Sequence, residues 1–141
     1  MKRILWSALL VMFLFSAAAC FAAQEIPNLV GTWTAKAEGG VMVKGEKPGA
    51  KTHYTEPFGT LSAEITIEKQ QGRVLHGTFK SPRATEKFIA IIGRDNKKMY
   101  YADEDGFLDG TIIDKNTLEV VYRHVTAKDA VVAVGVWTRK K

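Results

Sequence analysis

The chain has 141 residues, with 20 lysines and arginines against 15 acidic residues, 46% hydrophobic residues and a single cysteine. That length suits one domain with a workable core, and one cysteine excludes an intramolecular disulfide. A formal charge of +5 without a long basic block excludes a nucleic-acid footprint.

Residues 1–22 read as a secretory signal. Lys2 and Arg3 form a positive start, residues 4–19 carry no charge, and Ala17, Ala18, Ala19, Ala22 and Ala23 supply the small residues of a cleavage region. The first acidic residue is Glu25. An uncleaved anchor is the alternative, since residues 4–23 would just span a bilayer; the alanine cluster favours cleavage. Cys20 leaves two outcomes open. Cleavage after Ala22 removes it, whereas residues 17–20 resemble a bacterial lipobox with Ala17 in the place of the usual leucine, which would make Cys20 a lipidated N-terminus. Either way the protein is expected to be exported, periplasmic or extracellular, and to touch a membrane only through such a lipid anchor. Removing residues 1–22 leaves 119 residues and lowers the net charge to +3.

The rest reads as one β domain over residues 28–141. Residues 31–37 form the first strand, and 38–52, rich in Gly and Lys, read as a long loop. Residues 60–69 alternate strictly, with Leu61, Ala63, Ile65 and Ile67 on one face and Thr60, Ser62, Glu64, Thr66 and Glu68 on the other. Gln70-Gln71-Gly72 turns the chain into strand 73–80, and Ser81-Pro82-Arg83 ends it. Strand 88–92 (FIAII) is apolar throughout, 99–102 is short, and Asp103-Glu104-Asp105-Gly106 is a turn. Strands 107–113, 118–125 and 130–139 follow. About eight strands with short connections and no sustained helical period predict an all-β fold, a single antiparallel up-and-down barrel.

The opening Gly31-Thr32-Trp33 resembles the calycin pattern of lipocalins, fatty-acid-binding proteins and avidins. In lipocalins that tryptophan closes one end of the barrel beneath a late basic residue; the resemblance gives Trp33 and Arg139 those closing roles, a guanidinium over an indole. Val74-Leu75-His76-Gly77-Thr78-Phe79 resembles the third strand of an avidin-type barrel, and strand number and length fit avidins better than lipocalins. Biotin binding is not implied, because residues 23–141 contain only Trp33 and Trp137.

Catalytic signatures are missing: there is no Gly-x-Ser-x-Gly, HExxH or phosphate-cradling loop. No cofactor is expected. His53, His76 and His124 lack a second ligand at metal spacing, so no metal is expected, and His124 reads as an interior or mouth histidine. The acidic turn at 103–106 lacks the bidentate Glu of a calcium loop and reads as a solvated hairpin turn. The leading expectation is a non-enzymatic binding protein that holds a small or partly apolar ligand at the barrel mouth, with 38–52 as a lid. The lining expected from strand parity is Ala35, Ala37, Ala63, Ile65, Tyr122 and His124; Trp33 is a further candidate, as is Tyr101 or its neighbour Tyr100, whose short strand leaves the parity open. Strands 88–92 and 130–137 are apolar on both faces, which points to a homo-oligomer through their outer faces. A protein-interaction module without a cavity, inhibitor-like or a lipoprotein, is the rival reading, and an enzyme the third.

Overall fold

A computed structural model describes residues 25–44, 53–54 and 56–141. The expected signal, Cys20 and most of the expected lid lie outside the described residues.

Eight strands run in chain order: β1 (Gly31–Val43), β2 (Gly59–Gln71), β3 (Val74–Lys80), β4 (Thr85–Ile92), β5 (Lys98–Ala102), β6 (Gly106–Asp114), β7 (Thr117–Val125) and β8 (Asp129–Arg139). Each pairs antiparallel with the next, and β1 pairs with β8, so the sheet closes into an up-and-down barrel. Closure removes both sheet edges, so every strand of the described residues has a partner on each side.

Period-two alternation decides which side chains fill the barrel. Ala63, Ile65 and Ile67 of β2 are buried while Glu68 is exposed. In β8, Val131, Ala133 and Trp137 point in and Val132, Val134 and Val136 point out. In β4, Phe88, Ala90 and Ile92 are buried, and Ile89 and Ile91 stand half exposed on the outside. Inward side chains from all eight strands build the main core around Trp33, Trp137, Leu75, Met99 and Leu118, and Val41, Tyr54, Val131 and Ala133 form a second, smaller cluster.

The first strand departs from expectation. Residues 38–43 belong to β1 rather than to a loop, because their backbone pairs with β8 from Glu38↔Val134 to Val43↔Asp129. A ladder of that length overrides the low strand propensity of Gly39 and Gly40. Likewise β4 begins at Thr85, three residues before its apolar run.

One end of the barrel is plugged. Leu29 is fully buried, and its carbonyl accepts a hydrogen bond from Trp33 Nε1 at 3.1 Å. The Arg139 guanidinium lies 4.3 Å from the Trp33 ring centroid and donates to the carbonyls of Val30 (2.6 Å), Asn28 (3.0 Å) and Lys115 (2.8 Å). Gly31 makes this possible. Its φ of 138° is one that side-chain-bearing residues avoid, and a Cβ there would sit 2.8 Å from the Arg139 guanidinium. Gln70 tethers the same segment through the Leu29 N–H and the Pro27 carbonyl. Bulges in β2 near Ile67 and in β6 near Ile112 tighten the twist toward this end.

Candidate functional site

The opposite end collects the β3–β4, β5–β6 and β7–β8 turns, together with the described part of the β1–β2 connection. Inward positions change character along the strands. They are apolar beside Trp33 and become polar at the far end: Glu86 on β4, Asp103 just past β5, Tyr122 and His124 on β7, Asp129 on β8.

Beneath these groups lies a cavity of about 50 Å³. That is room for roughly four waters or one small head group, far below the ~300–1,000 Å³ of a drug-sized pocket. Its origin is legible in the pairing of β1 with β8. Ala37 pairs with Gly135 and Gly39 with Ala133, small against small, and Ala37, Ala133 and Gly135 form one side of the cavity. Phe79, Tyr101, Leu108 and Trp137 form the facing wall and floor. Tyr101 packs against Phe88 at 4.5 Å and edge-on to Trp137 at 6.3 Å between ring centroids.

The rim is a network of carboxylates, phenols and imidazoles. Tyr101 donates to Asp103 Oδ2 at 2.8 Å, and Asp103 Oδ1 accepts the Gly106 N–H at 2.7 Å. Tyr122 donates to Asp105 at 3.2 Å. Gly106 gives that phenol its space, since a Cβ there would lie 2.1 Å from the Tyr122 oxygen. Burial, reinforced by Asp103, pushes the Tyr101 phenol well above the ordinary tyrosine range. Tyr122 is raised for the same reasons, burial first and then Asp103 and Asp105. Both phenols therefore stay protonated and act as donors.

Two histidines are held by carboxylates. His124 Nε2 lies 3.0 Å from Asp129 Oδ1, both side chains almost fully buried, and Thr126 Oγ1 donates to the same oxygen at 2.6 Å. His124 Nδ1 faces Asp105 at 3.5 Å. His53 Nδ1 is 2.7 Å from Ser81 Oγ and its Nε2 3.0 Å from Glu86 Oε2, with the ring edge-on to Phe79. Serine, histidine and carboxylate in a row invite a catalytic reading. The serine is otherwise engaged. Ser81 Oγ accepts the N–H groups of Arg83 and Ala84, capping the β3–β4 turn, and it does not border the cavity. The row ties the β1–β2 connection to that turn.

Oxygens of Glu86, Asp103 and Asp105 lie within 4.8 Å of one another. Among the described residues that line the cavity there is no lysine or arginine. The mouth is thus locally acidic in a chain of net positive charge.

Of the lining expected from parity, Ala35, Ala37, Tyr122 and His124 border the cavity, and of the two tyrosines left open it is Tyr101 that does. Trp33, Ala63 and Ile65 lie in the packed core, Trp33 at the plugged end. Tyr100 points outward, half exposed. Sequence reasoning did not place Glu86, Phe79, Asp103 or His53 at the mouth, although it weighed His53 as a metal ligand and Asp103 in a calcium loop. Two of these had a signal: Glu86 stands two residues before Phe88 and Asp103 two after Tyr101, on the inward parity of their strands. His53 had none, because it comes from a connection without periodicity.

No family model, curated protein or solved structure matches this chain.

Proposed function

We propose that this is an exported, calycin-type binding protein that holds the end of a small ligand at its open mouth, without catalysing a reaction. The observation that carries the reading is the cavity at the one unplugged end, with an aromatic wall below and converging polar groups above. A pocket of that make-up is where a barrel takes ligands. Its size limits the buried portion to a head group, so the remainder of a ligand would project between the turns. The N-terminal pattern of residues 1–22 supports export, and the Gly31-Thr32-Trp33 and Arg139 arrangement supports calycin type.

The test is a fragment titration of the purified protein, expressed from the full chain, followed by amide chemical shifts. The reading requires that binding fragments perturb Tyr101, Leu108, Tyr122 and Ala133 together. Fragments that bind only elsewhere, or none at all, would overturn it. The mass of the purified N-terminus separates cleavage after Ala22 from lipidated Cys20.

A second reading rests on the outer face of β8. Val132, Val134 and Val136 are 60%, 49% and 40% exposed beside Phe58, which is 90% exposed. Water-facing rows that apolar favour a partner. The flanking charges suit a second copy: Lys36 on β1 and Glu119 on β7 sit on either side of Val136. A two-fold axis along β8 would bring each lysine opposite the other copy's glutamate. Sedimentation equilibrium of the protein and of Val134→Lys tests this; a wild-type monomer at high concentration would end it. The outer face of β4, with Ile89 and Ile91, offers a smaller patch of the same kind.

A further inference from the structure

We propose that the ligand head held in the mouth is an organic cation, an alkylammonium group with a short apolar stem. The inference rests on the mouth-binding reading and adds a chemical class to it.

Three properties of the cavity converge on this class. Its lining includes three aromatic side chains, Phe79, Tyr101 and Trp137, and aromatic rings attract a desolvated cation through their quadrupoles. Above the cavity stand three carboxylates, of which Asp103 borders it, with oxygens within 4.8 Å of one another, and such like charges gain when a positive group sits among them. None of the lysines or arginines described at this end lines the cavity; Arg83 and Lys128, in the β3–β4 and β7–β8 turns, are exposed. His53 is engaged by Glu86 and Ser81, His124 by Asp129, and Lys44 Nζ by the Thr126 carbonyl. Arg123, on the outer side of β7, pairs with Asp109.

Among the described residues that line the cavity, no lysine or arginine offers an anion a counter-charge. The phenols of Tyr101 and Tyr122 already give their protons to Asp103 and Asp105. A neutral apolar ligand would make no use of the carboxylates. A bare divalent cation is also a poorer match, because calcium needs six to eight oxygen ligands and would make no use of the aromatic wall. An ammonium group uses both layers: its N–H groups reach carboxylate oxygens while its first methylenes contact the rings.

The experiment compares n-butylammonium, n-butanol and butyrate, which share one tail, by amide chemical shifts at low ionic strength. Calcium chloride is titrated separately. Butylammonium should move the amides of Tyr101, Asp103, Leu108 and Tyr122, with affinity in the millimolar range expected of about five heavy atoms. It should bind at least about tenfold tighter than butanol, and weaken as salt is added. In Asp103→Asn with Asp105→Asn the preference over butanol should collapse. Asparagine keeps the turn at 103–106, because it serves asx-turns as aspartate does. The salt dependence in the unaltered protein carries the same test should that variant fail to fold. Equal binding of butanol or butyrate at these amides overturns the cation while leaving the mouth reading intact. Calcium outcompeting butylammonium there also overturns it, in favour of a metal. If none of the four moves these amides, both readings fall.

Discussion

At the plugged end of the barrel Trp33, Leu29 and Arg139 satisfy one another, whereas at the mouth polar groups from several strands and turns converge above unfilled space. The same eight strands build both. The difference is what their inward positions carry: large apolar residues at one end, small residues and titratable groups at the other. A barrel closed at both ends by packing would be a more stable object. This barrel packs its base around Trp33 and gathers its titratable groups at the apex, beside a smaller buried cluster of Val41, Tyr54, Val131 and Ala133.

Substitutions can break that contrast. Trp33→Ala should have the largest effect, a loss of about 3–5 kcal/mol for truncating a fully buried indole, measured by urea denaturation. A loss below about 1 kcal/mol would mean that the base is not the anchor. Arg139→Met comes next, at about 2 kcal/mol. It keeps the aliphatic stem but forfeits three carbonyl hydrogen bonds and the contact with Trp33. Arg139→Lys should recover little, since a point charge cannot serve three carbonyls from one plane.

Alkaline pH probes the mouth instead. The Tyr101 phenol is raised by burial, so the folded chain keeps a proton that the unfolded chain releases near pH ~10. Below that pH both states are protonated and the effect vanishes. Above it the unfolded state binds fewer protons, and stability should fall by up to about 1.4 kcal/mol per pH unit for this group. Tyr101→Phe should flatten that decline. An unchanged slope would show the phenol to be solvated.

The smallest expected change in stability is that of Asp105→Asn, within about 0.5 kcal/mol at neutral pH. This same variant should weaken butylammonium binding. A large loss of stability without loss of binding would reverse the roles assigned to the two ends.

Much of the architecture was legible from residue order. Strict alternation over 60–69 and 118–125, with Gly, Pro and Asp punctuation between runs, specified strands and short connections, hence consecutive antiparallel neighbours and a meander. The same parity placed Ala35, Ala37, Tyr122 and His124 inside, whereas the choice of Tyr101 over Tyr100 fell to the structure. It was less informative where periodicity stopped. Residues 38–43 looked like loop because glycine has weak strand propensity, and only the partner strand β8 shows that they pair. Asp103 to Gly106 looked like an ordinary solvated turn, and as a local structure it is one.

What residue order by itself determined is local: which segments extend, which face each buries, and the small residues at Ala37, Gly39, Ala133 and Gly135. What only the tertiary structure decided is convergence. Closure of β1 onto β8 sets those small residues opposite one another and opens the cavity. It also brings Glu86, Asp103 and Asp105, from two separate hairpins, within 4.8 Å of one another. Periodicity reports a side chain's face, but which distant side chains meet depends on register and on closure of the ring, and neither is written in any one segment.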